Sequence, residues 1–405
     1  METSRLREVL AAHVERGDLP GFVALVSRQG EVQAEVAGAK AAGSKDPMRR
    51  DTLFRISSMT KPITAAAAMT LVEDGTLKLD DPVEKRWLPE LANRRVLTRL
   101  EAPVDDTVPA KRSITARDLL TFTFGFGILL PFDGYPITRA AEALHLGAFG
   151  PPRPQEPPAP DEWIRRFATL PLMRQPGEAW LYNTGSEVLS VLLARAAGKP
   201  LDALLRERLF EPLGMKDTFF SPPPEKLDRL APSYMANPQT NALQPYDPVE
   251  GGQWSTPPAF PSGAAGLVST ADDFLAFGQM LLNRGTLGRA RVLSPESVDA
   301  MTADQLTPAQ KAAAPFPPFD YWRNHGWGFG VSQVTAPDDI TGAAGRYGWD
   351  GGMGTAWAND PKRQLVAILM TQRGAFPAFS QVYRDFWATV YGVAPSPPPA
   401  MPSGR

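Results

Sequence analysis

The chain's 405 residues suffice for a large buried core and for two or three domains, or one domain with a big insertion. Lysine and arginine number 42 against 44 acidic residues, and the formal charge of −2 implies no basic face for nucleic acid. Cysteine is absent, which excludes disulfides, thiol catalysis and cysteine-based metal sites. The histidines His13, His145 and His325 show no metal-ligand spacing, so no cofactor or metal is expected.

The chain opens on a charged, helically periodic stretch rather than a basic-then-apolar leader. No apolar run reaches the ~18 residues of a spanning helix. The expectation is a cytoplasmic protein that stays off membranes, its oligomeric state left open.

In chain order, Leu6, Val9, Leu10, Ala12 and Val14 recur at helical spacing over 3–16, with Gly17 as a stop. Residues 21–27 and 32–36 read as a hairpin about Gln29-Gly30. A short apolar lead, Leu53, Phe54 and Ile56, then enters an Ala-rich helix that Gly75 ends. Pro62 is tolerated only in the first helical turn, which places the helix start at or just before Ser58. Residues 114–120 begin a short helix capped by Thr115. Residues 121–150 are aromatic and glycine-rich and resist assignment, and 151–160 read as a stiff proline-rich connector.

Helices follow from Asp161 to about Ala168, over 186–197 and over 201–209. Residues 222–264 read as long loops, which in a compact protein tend to be functional. Two more helices start at Thr270 or Ala271 and after Ser294. Residues 327–334, 356–359 and 364–371 read as strands, with a turn at 360–363, and 379–391 as a closing helix. The Pro-rich residues 394–405 read as a disordered tail. Sequence-adjacent strands joined by tight turns predict an α+β fold, an antiparallel β-sheet flanked by helices. The expected division is a sheet-bearing unit over 1–82 and 236–393, a mainly helical insertion over 83–235, and the tail.

Three stretches carry candidate chemistry. In Ser58-Met59-Thr60-Lys61, serine and lysine share a helix face one turn apart, where unpaired N–H groups and the positive dipole end converge. An amine that burial keeps partly neutral is a workable base for such a hydroxyl. The same pattern also fits a serine N-cap followed by a surface lysine. The second stretch, 175–186, has a Pro176-Gly177 turn and then Tyr182 ahead of a helix. Tyr182 is either a phenol placed to relay a proton or a buried tyrosine beside an N-cap. In the third, 347–357, Gly351 and Gly352 let something approach the backbone closely. That edge either donates to a developing oxyanion or is a plain bulge.

Taken together, in this order and spacing, the stretches resemble the serine β-lactamase and penicillin-binding-protein superfamily, in particular its class C and family VIII carboxylesterase branch. Phe54-Arg55-Ile56-Ser57-Ser58, Asp80-Asp81-Pro82-Val83, 114–120, 266–273 and 326–330 also look like that family's landmarks, and the likeness covers roughly 5–391. The resemblance implies a β-lactamase/transpeptidase-like fold and an acyl-enzyme mechanism. Ser58 would be the nucleophile, Lys61 and Tyr182 the proton-transfer pair, and the backbone N–H groups of Ser58 and Gly352 the oxyanion hole. Such a site needs no histidine, and no Gly-x-Ser-x-Gly elbow occurs.

Two departures bear on the substrate. Where relatives usually carry Lys-Thr-Gly, this chain reads Trp349-Asp350-Gly351, so a cation suited to a substrate carboxylate gives way to an aromatic and an acid. Anionic β-lactam substrates are thereby disfavoured. Thr184 stands at the usual Asn of the Tyr-x-Asn triplet, with Asn183 beside it, which leaves amide recognition open. The expected substrate-binding residues are Trp349, Asp350, Gly351, Asn183, Thr184 and Phe124. Aromatics including Phe122, Phe126, Trp254, Phe260, Trp322 and Trp357 are candidates for an apolar acyl pocket. The expected activity is that of a serine carboxylesterase on small to medium acyl esters, with a small-molecule ester as partner. The alternatives are a β-lactamase, D-aminoacyl peptidase or acyltransferase, and, in another class, an inactive penicillin-binding-like module that only binds a ligand.

Overall fold

The structure, a computed structural model, describes residues 3–131, 133–147, 150–315, 319–340, 343–375 and 380–393. Strand-forming runs from both ends of the chain meet in one sheet. Its strands are β1 (Gly21–Arg28), β2 (Glu31–Gly38), β3 (His325–Trp327), β4 (Ser332–Val334), β5 (Tyr347–Gly351), β6 (Thr355–Asp360) and β7 (Leu365–Thr371). They lie in the order β3-β4-β5-β6-β7-β1-β2, and each neighbouring pair is antiparallel, as the sequence predicts. The β1–β2 turn takes Gln29 and Gly30 at φ of 51° and 88°, the positive pair that a two-residue hairpin demands.

Helices lie on both faces of the sheet, so β1 and β7 are buried along nearly their whole length rather than alternating. Phe22, Ala24, Val26, Ala367 and Leu369 pack against α1 (Thr3–Glu15) and α5 (Val382–Tyr391). Val23, Leu25, Val366 and Ile368 face the larger core, which holds α2 (Thr60–Glu73), α3 (Thr184–Ala197) and α4 (Ala271–Leu282). Helix α2 is buried from Thr60 to Leu71, so the Ala-rich run is the central helix of the molecule. Among the described residues no helix is long and apolar enough to cross a membrane.

Several segments depart from the sequence expectation. Residues 327–334 are not one strand, because the chain turns back at Gly330, φ 73°, between β3 and β4. The helix expected over 201–209 breaks into Leu201–Leu205, a π-turn at Arg206–Phe210 and Glu211–Leu213. The helix expected from an Asp161 cap instead starts at Pro160, where proline's fixed φ suits the first turn. The unassigned stretch holds a helix at Pro136–Ala143, and the long loops hold a hairpin of Ser233–Ala236 with Leu243–Asp247. Phe379 and the Pro-rich tail lie outside the described residues.

Candidate active site

The strand segment Phe54–Arg55 leads into a 3₁₀ turn, Ser57–Met59, and α2 begins only at Thr60. Ser57 holds φ at 45°, an unfavourable region for a residue with a Cβ. The kink leaves Ser57 buried and Ser58 half-exposed at the edge of a cavity. Lys61 sits one turn further, at 0% exposure, with Pro62 beside it in the first turn. Its Nζ lies 3.1 Å from Ser58 Oγ and donates to the Ala264 carbonyl at 2.8 Å. Burial drives the Lys61 pKa down to about 7, against a weaker upward pull from Glu187. Burial therefore favours the neutral amine. In that form the contact with Ser58 runs the other way, the hydroxyl donating to the nitrogen lone pair.

Tyr182 Oη donates to the same Ser58 oxygen at 2.9 Å. Its ring lies 4.6 Å from Lys61 Nζ and is held among aromatics, with Trp180 stacked at 5.5 Å, Phe122 at 5.7 Å and Trp349 at 5.6 Å. The next residue, Asn183, takes φ 85° and ψ −62°, a strained γ-turn geometry that swings the chain from the tyrosine into α3. Burial pushes the phenol pKa up, while hydrogen bonds with Ser58 and Trp349 pull it back in part. Burial thus favours the neutral phenol at Tyr182 and the neutral amine at Lys61.

Gly351 ends β5, and a Cβ there would lie 2.3 Å from the Ile56 carbonyl and 2.2 Å from Thr355 Oγ1. Only glycine lets β5 pass this close to the turn that carries Ser58. Gly352 follows, and both it and Ser58 line the cavity.

Not every residue expected at the substrate is found there. Trp349 is half-buried and donates its indole N–H to Tyr182 Oη at 2.8 Å, so it braces the tyrosine. Asp350 is exposed on the opposite face of β5, since successive strand residues point to opposite sides. It does not line the cavity, although its charge is felt at Tyr182. Thr184, at 0% exposure, starts α3 away from the cavity, whereas Asn183 lines it. Phe124 is buried against Phe167, as is Phe126, and Phe122 and Trp322 belong to the aromatic packing around Trp180 and Tyr182. Trp254 donates to Gly266 O, and Trp357 to Asn359, each inside the core. Of the expected aromatics only Phe260 lines the cavity.

The cavity, about 390 Å³, is walled by Ile128, Leu130, Met235, Met353 and the prolines of 151–157. The proline-rich connector is therefore a wall of the site. Among the described residues no histidine lines the cavity. Among the described residues no group of acidic and histidine side chains is placed to hold a metal.

Glu187 was not picked out from the sequence. It lies on α3, a turn beyond Asn183, at 5% exposure and in the cavity lining. It is the one acidic residue of α3, and that was the available signal. Ser262 Oγ donates to its Oε1 at 2.8 Å, and among the described residues its buried Oε2 has no hydrogen-bond partner. Burial raises its pKa to about 7, partly offset by Ser262 and Lys61.

Comparison with known proteins identifies the family. The chain is 40% identical to Protein Rv1367c of Mycobacterium tuberculosis, over 91% of this chain and 88% of that protein. It is 33% identical to Esterase EstB of Burkholderia gladioli, over 91% and 90%. Among solved structures, EstCE1, described as a hydrolase with promiscuous acyltransferase activity, superposes with a TM-score of 0.75 at 26% identity, covering 96% of this chain and 98% of that one. The family model for Beta-lactamase matches residues 6–389. The chain belongs to the beta-lactamase family, a hydrolase fold of the serine β-lactamase-like superfamily, and stands near its family VIII esterases.

Proposed function

We propose that the protein is a serine carboxylesterase that works through an acyl-enzyme and takes neutral esters of small to medium acyl groups. The observation that carries this reading is the convergence of Lys61 Nζ, 3.1 Å away, and Tyr182 Oη, 2.9 Å away, on Ser58 Oγ at the edge of an apolar cavity. Neutral Lys61 takes the Ser58 proton as Oγ attacks the ester carbonyl. The N–H groups of Ser58 and Gly352 meet the oxyanion. Tyr182, between the amine and the leaving side, passes the proton to the departing alcohol. Water then enters along the same proton path, reversed, and releases the acid.

The preference for neutral esters rests on the cavity lining, in which, among the described residues, exposed Arg153 is the one cation. The indole at position 349 faces Tyr182, so it offers a substrate carboxylate no charge. A kcat/KM for p-nitrophenyl butyrate at least ~30-fold above that for nitrocefin follows, on the scale of one lost charge-assisted hydrogen bond. Trp349→Lys should narrow that ratio, and an unchanged ratio would show that charge at 349 does not decide it.

The test of the nucleophile is Ser58→Ala, which should abolish both ester hydrolysis and fluorophosphonate labelling while the circular dichroism is unchanged. Labelling that survives the substitution would overturn the assignment. The apolar wall also suits an alcohol acceptor, and EstCE1 is described as having such side activity. Partition between acid and transesterified product in added butanol measures how far acyl transfer competes with hydrolysis.

A further inference from the structure

The turn 262–266 closes over the base of the site and is tied to two helices. From α3, Ser190 Oγ accepts from Gly263 N at 2.8 Å and Glu187 Oε1 accepts from Ser262 Oγ at 2.8 Å. From α2, Thr64 Oγ1 donates to Gly263 O at 2.9 Å and Lys61 Nζ donates to Ala264 O at 2.8 Å. Ser262 Oγ in turn accepts from Ala264 N and Ala265 N at 3.3 and 3.1 Å. A continuous hydrogen-bonded path therefore runs from the Glu187 carboxylate through Ser262 and the 264–265 peptide to Lys61 and on to Ser58.

We propose that Glu187 is the positioning residue of Lys61: it fixes the turn whose Ala264 carbonyl seats the amine, and its buried carboxylate is the counter-charge to the ammonium form. The inference rests on the acyl-enzyme reading above and deepens it. A buried carboxylate with one oxygen unpartnered is costly unless a cation balances it. Lys61 is the cation that acts on Glu187, as Glu187 acts on Lys61. The other polar groups facing Lys61 include the Ser58 hydroxyl, in the turn ahead of its helix, and Tyr182 ahead of α3. The 262–266 turn and the Gly330 turn contribute only backbone and the Ser262 hydroxyl. When Lys61 accepts the Ser58 proton, Oγ becomes bonded to the acyl carbon and the amine becomes an ammonium. The anion on α3 stabilises that ammonium without touching substrate.

The sign of the effect follows. A negative Glu187 favours protonated Lys61, and removing that charge lets the amine lose its proton at lower pH. Glu187→Gln should move the acid limb of kcat/KM for p-nitrophenyl butyrate to lower pH by about half a unit or more. It should also lower plateau kcat with little change in KM, because the ammonium formed on acylation loses its counter-charge. Glu187→Asp, which keeps the charge, should return the limb toward the wild-type position. A Gln profile that superimposes on wild type or moves to higher pH overturns the proposal, as does an Asp limb that stays with Gln. Should Glu187→Gln fail to fold by circular dichroism, Ser262→Ala carries the same test. It removes the hydrogen bond that favours the carboxylate and should shift the limb the same way, and no shift would overturn the proposal. If the wild type shows no Ser58-dependent hydrolysis at all, the esterase reading itself has failed, which is a distinguishable result.

Discussion

Lys61 and Tyr182 occupy one site, and burial moves their proton affinities in opposite directions, as it must for a cation and a neutral acid. Lys61 falls to about 7 and Tyr182 rises above its ordinary value. A base acts when it is unprotonated, so kcat/KM should rise with pH through about 7 and then level off. Tyr182 stays protonated through the neutral range and contributes no alkaline fall there. A profile flat from pH 5 to 9 would remove Lys61 as the base. Trp349 gives a second test. Its indole donates to Tyr182 Oη, and Trp349→Phe keeps most of the ring contact while deleting that bond. One neutral hydrogen bond is worth about 0.5–1.5 kcal/mol, so kcat should fall roughly 3- to 10-fold at constant KM. A rise in KM with kcat unchanged would instead make the indole a substrate contact.

The turn that carries Ser58 and strand β5 are brought together by close backbone approach. At Gly351 an added Cβ would meet the Ile56 carbonyl at 2.3 Å, whereas at Gly352 the nearest atom, Ser57 Oγ, is 4.0 Å away. Gly351→Ala should therefore push β5 off the turn, costing at least ~2 kcal/mol in urea unfolding and most of the activity. Gly352→Ala should unfold within ~0.5 kcal/mol of wild type. Equal behaviour of the two variants would mean that the close approach at Gly351 does not constrain the site. Helix α3 combines several duties in one element. Its start turns out of Tyr182, its first turn carries Glu187, and its second holds the 262–266 turn through Ser190.

The cavity exists only because segments far apart in the chain converge on α2. One tie among them is a buried ion pair. Arg55, just ahead of the Ser57–Met59 turn, donates from Nε to Asp247 Oδ2 at 2.7 Å, with both side chains 2% exposed. Its guanidinium also lies 5.1 Å from the Trp254 ring and donates to the Ala231 carbonyl. This clamps the 231–254 segment to the strand that leads into Ser58. Removing one partner strands a buried charge, so Asp247→Ala should cost about 3–5 kcal/mol in urea unfolding. Replacing both residues together, Arg55→Met with Asp247→Leu, should recover much of that loss. A cost below ~1 kcal/mol for Asp247→Ala would show the pair to be solvated in practice.

What could be read from the sequence was local geometry. The three-residue spacing of Ser58 and Lys61, the tolerance of Pro62 in a first turn, and the Gln29-Gly30 hairpin depend on neighbours within a few residues, so periodicity and turn chemistry determined them. The charge state of Lys61 was not legible, because the burial that sets it comes from α3 and the 262–266 turn, far along the chain. Strand alternation alone puts Trp349 and Asp350 on opposite sides. Which side meets Tyr182 was decided by the register that pairs Trp349 with Trp357 and by the covering elements. Phe124, Phe126 and Trp357 look no different in sequence from Phe260, yet the fold spends the first three on the core and only Phe260 on the cavity. Glu187 gained its place by sharing a helix with Tyr182's exit turn and a cavity with Lys61. No spacing rule connects positions 61 and 187; packing does.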